Sequence, residues 1–239
     1  MSFFRLRVDD FTQESLIKRM YEDVKCNNHP VVYANHNLHS LYLGLKDESF
    51  INWINAQYIV HADGMGIVYL GKLFGKKLNK ANRITYVDLM PDILKLAMEN
   101  DYKVFYLGAT QASLYQGLIK IKSLYPSLNI VVHDGFELCK VVEKINLFEP
   151  DILFVGMGMP LQELWIKNNI ENLICKVILP CGALMDYYSG IKKAPPRWVG
   201  KIGLEWLFRL LYELKRLWKR YLLEPVYIFY KLLIDLLKK

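Results

Sequence analysis

The sequence predicts an α/β protein: a Rossmann-like, mostly parallel sheet with helices on both faces, followed by a C-terminal helical appendage. Short apolar, β-branched runs alternate with helical patterns through most of the chain, which is the signature of a parallel sheet built from strand–helix–strand units. Several of these runs end in Gly, Asn or Asp, the small polar residues expected at the carboxyl ends of strands, where open α/β sheets bind ligands. Hydrophobic residues make up 53% of the 239, enough for a sizeable core and too many for a disordered chain.

In order, Phe3 to Val8 reads as an opening strand, and Thr12 caps a helix that reaches about Lys25. Pro30 to Ala34 is a strand ending in Asn35. A helical stretch around Leu38 to Lys46 leads to a strand over Tyr58 to Ala62, followed by Asp63-Gly64-Met65-Gly66 and the first turns of an apolar helix. Thr85 to Asn100 is a long helical pattern. Lys103–Leu107, Asn129–Val132, Asp151–Val155 and Lys176–Leu179 are strands. Between them Gln111–Tyr125, Glu137–Asn146 and Pro160–Leu173 are helices, the last with proline at its first position. No internal repeat or low-complexity linker interrupts this order. The division expected is a catalytic α/β domain over 1–190 and an appendage over 191–239.

The formal charge of +7 sits in the appendage: Lys192 to Lys239 holds twelve Lys and Arg against four Asp and Glu, a net +8, and the rest of the chain carries −1. On a helical wheel Leu211, Leu214 and Trp218 fall within about 40° of Leu207, while Arg209, Arg216 and Arg220 lie opposite. Pro225 is expected to break this helix. Val226 to Lys239 then resumes as an apolar helix with a polar stripe of Lys231, Asp235 and Lys238. A basic amphipathic pair of this kind suits an anionic membrane surface. The alternative is a helix packed on the body with its charged face solvated. The start of the chain carries charges where a signal peptide needs an apolar run, and no uncharged apolar run reaches the ~20 residues of a spanning helix. Cys26, Cys139, Cys175 and Cys181 show no CxxC spacing and read as reduced core residues. A cytoplasmic protein bound peripherally to the inner face of the membrane is expected.

Asp63 stands where a strand ends and a helix begins. A carboxylate there can serve as a general base or cap the helix, and Gly64 and Gly66 allow close backbone approach. Gly66 to Gly71-Lys72 has P-loop spacing, but Leu73 replaces the Ser/Thr and the intervening residues are apolar and helix-like, so it is rejected. Gly156-Met157-Gly158 lacks the third glycine of a dinucleotide fingerprint. His36 and His39, three apart with no third ligand, read as solvated or capping rather than as a zinc site. No Asp-x-Asp pair is present to carry a metal-bound nucleotide sugar, so no metal and no cofactor are expected. Gln162 and Glu163 lie in the first turn of a helix opened by Pro160, where anions are favoured and where Glu163 also reads as a dipole-stabilising acid. Arg83 reads equally as an anion ligand and as a surface ion pair.

These motifs occur in a specific order: Ala34-Asn35; Ala62-Asp63-Gly64-Met65-Gly66; Arg83-Ile84-Thr85 with Asp88; Leu107-Gly108-Ala109; Gly156 through Pro160, Leu161, Gln162 and Glu163; Ser189-Gly190 with Lys193-Ala194-Pro195; and Gly203 through Glu205, Trp206, Arg209 and Leu210. With them the chain, from about Val31 to Arg220, resembles the WecG/TagA/CpsF family of bacterial glycosyltransferases. The resemblance implies an inverting, metal-independent transfer of an N-acetylmannosamine-like sugar from a UDP-sugar donor to a lipid-linked, polyprenyl-diphosphate acceptor in cell-surface polysaccharide synthesis. It implies Asp63 as catalytic base and Asn35, Arg83 and Gln162 lining the sugar and diphosphate site, with Asp88 and Glu163 beside them. Gly108, Gly156 and Gly158 are expected to approach the nucleotide, and Arg209, Arg216 and Arg220 to hold a diphosphate as the tail closes. The chain departs from the family pattern at Tyr33 (usually threonine), Tyr86 (glycine), Lys193 (arginine) and Leu214 (proline). Tyr33 and Tyr86 are the departures expected to bear on the donor sugar. The competing readings are a nicotinamide-dependent oxidoreductase and a nucleic-acid-binding protein. The tail's leucine and aromatic content speaks against nucleic acid as a partner. A homo-oligomer is left open.

Overall fold

The computed structural model describes residues 6–201 and 203–237. Its six strands form one sheet in the order β2-β1-β6-β5-β3-β4, with β1 Val31–His36, β2 Ile59–Ala62, β3 Val104–Gly108, β4 Ile130–His133, β5 Ile152–Gly156 and β6 Val177–Pro180. The pairs β1–β6, β6–β5, β5–β3 and β3–β4 are parallel and in continuous register, Val104 facing both Ile130 and Ile152, for example. Every residue of β3, β5 and β6 is buried. That is why these strands read as unbroken apolar runs rather than as alternating ones.

The chain packs as two compact units. One comprises residues 1–12, 34–84 and 195–239, the other 13–33 and 85–194. The second unit contains α1 (Gln13–Cys26), whose Leu16, Met20 and Val24 recur at helical spacing and are buried. In the first unit, Asn37 and Ser40 form a capping box at the start of α2 (Leu38–Lys46), and Asp47 caps α3 (Glu48–Asn55). The sequence reading passed over α3, although the Asp47 cap and the spacing of Phe50, Ile51 and Ile54, all buried, announce it. α4 runs over Met65–Leu73, so the rejected P-loop segment is indeed helix.

In the second unit α5 (Tyr86–Glu99), α6 (Gln111–Leu124), α7 (Val141–Phe148), α8 (Leu161–Asn169) and α9 (Leu184–Ser189) complete the layers. Two boundaries move. Asp134 Oδ1 accepts from the backbone N–H groups of Phe136 and Glu137, and Lys140 is left-handed, so the chain turns there and α7 begins at Val141 rather than Glu137. Pro160 is the cap residue of α8 rather than its first residue, and the helix gives way to a 3-10 turn at Ile170–Asn172. Tyr33 and Tyr86 are core residues here. The Tyr33 hydroxyl donates to Asp23 Oδ2 at 2.6 Å, and the Tyr86 hydroxyl donates to the Tyr33 carbonyl at 3.0 Å. Both hydroxyls thus bond within the fold.

Three other expectations change. Of the opening strand, Phe3–Arg5 lie outside the described residues, and Leu6–Val8 form no ladder: the Arg7 N–H donates to Asn55 Oδ1, and Asp9 Oδ2 takes the Val60 N–H. Cys26 and Cys139 are exposed; only Cys175 and Cys181 are core. His36 is fully buried, held between Ser40 Oγ and Asn55 Oδ1, rather than solvated, and burial lowers both His36 and the equally buried His61 to about 4.

The tail forms α10 (Arg197–Lys201), α11 (Glu205–Tyr212), α12 (Leu214–Trp218), a π-helical turn over Lys219–Leu223, and α13 (Glu224–Leu237). The break falls at Glu213, which leaves the helical region (φ −129°, ψ 40°), and not at Pro225. Proline lacks an N–H and crowds the preceding turn. The π-turn, with the Glu224 N–H bonded to the Lys219 carbonyl, carries the helix past it. On α13, Ile228 and Leu232 are buried in one cluster with Leu41, Ile51, Met65 and Val68. The expected polar stripe of α13 includes Lys238, which lies outside the described residues. Among the described residues no helix is long and apolar enough to cross a membrane.

Candidate active site

In the first unit, β1 and β2 end side by side. The Asp63 N–H donates to the His36 carbonyl at 2.8 Å, and the Ile84 N–H donates to the Ala62 carbonyl at 3.0 Å, which pins Asp63 and Ile84 in a parallel bridge just beyond the strands. Gly64, with φ +83°, turns the chain into α4 and is itself the cap residue. Among the described residues no side chain caps α4, so the Asp63 carboxylate is not spent on the helix. It accepts instead from Asn37 Nδ2 at 3.2 Å. The contact with Asn37 orients the Asp63 carboxylate and is not a capping one.

A pocket of about 430 Å³ opens beside this carboxylate, lined by Asp63, Asn37, His39, Glu205, Arg209 and Arg220 among others. Arg83 donates through Nη2 to Glu205 Oε1, with its side chain only 12% exposed. Burial pushes the Glu205 carboxyl above its usual range, Arg83 and Arg209 pull it back, and Asp63 pushes it up again. His39 Nδ1 meets Glu224 Oε2 at 2.8 Å. Two glutamates of a strongly basic tail therefore face this region. Of the three tail arginines expected together, Arg209 and Arg220 line the pocket and Arg216 does not. Arg216 is exposed and pairs with Glu213, Nε to Oε2 at 2.7 Å. The break at Glu213 and the π-turn shift the helical phase, so one arginine stripe becomes two faces. Asn35 lies within β1 and is 3% exposed.

Sequence reasoning missed Asn37 and Glu224, and it gave His39 and Glu205 no role in the site. The signal for Glu205 was present in its own motif, as an acid among apolar and basic neighbours. Its partner Arg83, over a hundred residues earlier, is fixed only by the fold.

In the second unit the ends of β3, β5 and β6 pack backbone to backbone. A Cβ at Gly108 would strike the Gly156 carbonyl, and one at Gly156 would strike the Tyr106 hydroxyl and the Gly182 carbonyl. Gly158 has φ +82°, and its N–H donates to Gln162 Oε1 at 3.1 Å, as does the Gly182 N–H at 2.9 Å. The Gln162 amide oxygen thus ties two glycine turns together, while its Nε2 donates to Glu163 Oε1 at 2.7 Å. Asp88, in the first turn of α5, accepts from the Thr85 hydroxyl at 3.0 Å.

Glu163 is 3% exposed, and Oε2 has no hydrogen-bond partner among the described residues. Burial pushes its carboxyl up to about 7. A folded-state value above the unfolded 4.5 means that its contribution is complete below 4.5 and is lost as pH rises through 7. Glu163→Gln should therefore melt like the wild type at pH 4.5 and above it at pH 8.5. The gap should be at most ~3 kcal/mol, the equivalent of the full shift. Parallel melting curves across that range would show that Glu163 is not buried as a carboxylate.

A Rossmann-like sheet with an oriented acid at a strand end, and with arginines from a helical tail beside it, is the setting of a glycosyltransferase. Residues 1–239 match the glycosyl transferase WecG/TagA/CpsF family, and the chain belongs to it. It is 35% identical over 205 residues to the N-acetylglucosaminyldiphosphoundecaprenol N-acetyl-beta-D-mannosaminyltransferase of Staphylococcus aureus strain MRSA252, covering 84% of this chain and 79% of that one. To the enzyme of the same name from strain NCTC 8325 it is 34% identical with the same coverage. Family membership decides for the glycosyltransferase reading over the oxidoreductase and nucleic-acid readings.

Proposed function

We propose that this chain moves an N-acetylmannosamine-like sugar from a UDP-sugar to a polyprenyl-diphosphate-linked saccharide, with inversion and without a metal ion. The observation that carries the reading is the Asp63 carboxylate, held by Asn37 rather than capping a helix, in a pocket that also presents Arg209 and Arg220. In this mechanism the acceptor hydroxyl oxygen attacks the anomeric carbon from the face opposite the leaving group. Its proton passes to Asp63. The carbon–oxygen bond to the diphosphate breaks, and the electron pair leaves on the diphosphate oxygen, where guanidinium groups offset the developing charge. One displacement inverts the anomeric centre.

The names of the Staphylococcus relatives, which specify N-acetylglucosaminyldiphosphoundecaprenol and transfer of an N-acetyl-beta-D-mannosaminyl group, support the substrate class. Docking on the cytoplasmic face of an anionic membrane is supported by the net +8 of 192–239 and by exposed apolar side chains there, among them Trp198, Leu211, Val226 and Phe229. The test is a thermal-shift panel of UDP-sugars, followed by transfer assays on a short-chain diphosphate-linked N-acetylglucosamine with the donor that shifts. A ligand that binds the folded state must raise the melting temperature. No shift with any UDP-sugar would overturn the donor assignment.

Metal independence has its own assay. Guanidinium groups supply charge that does not depend on a divalent ion, so transfer should persist at near-full rate in excess EDTA. Loss of transfer in EDTA that magnesium or manganese restores would remove that part of the proposal.

A further inference from the structure

The Arg83–Glu205 pair is costly for a tail anchor. Both side chains are largely buried, 12% and 19% exposed. Burial and the nearby Asp63 raise the Glu205 carboxyl despite two arginines, so the site does not fully compensate the charge it holds. The surroundings are fitted to the pair: a Cβ on Gly200 would lie against Arg83 Nη2 and against Glu205 Oε1. Glu205 also shares its pocket with Asp63, Arg209 and Arg220, so its carboxylate lies among the cations that a departing diphosphate requires.

We infer that Glu205 is a positioning residue that competes with the donor's diphosphate for Arg83, the two anions taking the same guanidinium in turn. The inference rests on the donor reading above. A carboxylate offers one charge and two oxygens. A diphosphate offers more of both and forms stronger charge-assisted hydrogen bonds with guanidinium groups. Glu205 lines the pocket while its partner Arg83 does not, so an anion in the pocket reaches Arg83 only by displacing Glu205, and Glu205 sets the threshold affinity that anion must exceed.

The test is calorimetric titration of the full chain with UDP and, separately, with inorganic pyrophosphate, for the wild type, Glu205→Gln and Glu205→Asp. The Gln variant keeps the shape and can still accept from Arg83 but loses the competing charge. It should bind both probes roughly tenfold tighter, about the weight of one charge-assisted contact, and the donor KM should fall in step. The Asp variant keeps the charge but reaches less far, and its affinities should lie between the other two. It decides the matter alone if the Gln variant does not fold. Unchanged or weaker binding in the variants, whatever happens to their melting temperatures, would make Glu205 a structural anchor only and overturn the inference while leaving the donor reading intact. If the wild type and both variants bind neither probe, the donor reading falls and this inference with it.

Discussion

Asp63→Asn is expected to lower turnover by roughly 10²-fold or more while UDP binding and the melting temperature stay close to those of the wild type. The carboxamide is nearly isosteric and its oxygen can still accept from Asn37 Nδ2, the contact that orients the side chain. The backbone contacts that fix position 63, the N–H to His36 and the bridge to Ile84, do not involve the side chain at all. What the amide cannot do is take the proton from the acceptor hydroxyl, so the loss should appear in kcat and leave the affinity for UDP in place. Single-turnover transfer with saturating donor reads this directly. Near-normal rates in the variant would remove Asp63 from the chemistry, whatever its place in the pocket.

The parallel core was legible in the sequence because burial on both faces leaves a trace in composition. Val104–Gly108 and Ile152–Gly156 are unbroken apolar runs closed by glycine, and helical patterns of the right period separate them. The position of Asp63 was legible for a related reason, since an acid between a strand and two glycines falls at the carboxyl edge of the sheet, but the sequence alone left base and cap both open. The boundary errors come from local hydrogen bonding that competes with periodicity. Asp134 folds the next residues into a turn that reads as the start of a helix, and Glu213 leaves the helical region in the middle of an apparently continuous stripe. The second of these had the larger consequence, because a wheel drawn through Glu213 puts Arg216 with Arg209 and Arg220. The pairings Arg83–Glu205 and His39–Glu224 were out of reach, since each joins residues more than a hundred positions apart and neither has a periodic signature.

The last helix is where a sequence expectation becomes a sharper experiment. Removing residues from Val226 onward is not a clean test of membrane docking, because α13 is apolar on two faces with different jobs. Ile228 and Leu232, one turn apart, are 3% and 4% exposed and pack with Leu41 and Ile51. Tyr227 meets the Tyr42 ring edge-on at 5.5 Å, and Glu224 holds His39. Truncation would remove Tyr227, Ile228 and Leu232 and leave a cavity or an exposed core behind, so it would destabilise the first unit rather than test docking. Phe229 and Leu233, also one turn apart, are 61% and 45% exposed and lie about 100° around the helix from the buried pair. Replacing Ile228 and Leu232 with alanine should cost ~2–5 kcal/mol each, visible as a melting temperature lower by about 10 °C or more, with activity at low temperature retained. Replacing Phe229 and Leu233 with glutamate should leave the melting temperature within about 2 °C. Flotation with anionic vesicles should weaken at least tenfold, because the change removes apolar contact and adds charge of the same sign as the lipid. Turnover on a soluble short-chain acceptor should survive that second change, since neither Phe229 nor Leu233 lines the pocket beside Asp63. Full flotation of the Phe229 and Leu233 double variant would show that this outer face of α13 does not meet the membrane, and would leave the basic residues of 192–239 and exposed apolar side chains such as Trp198 and Leu211 as candidates for that contact.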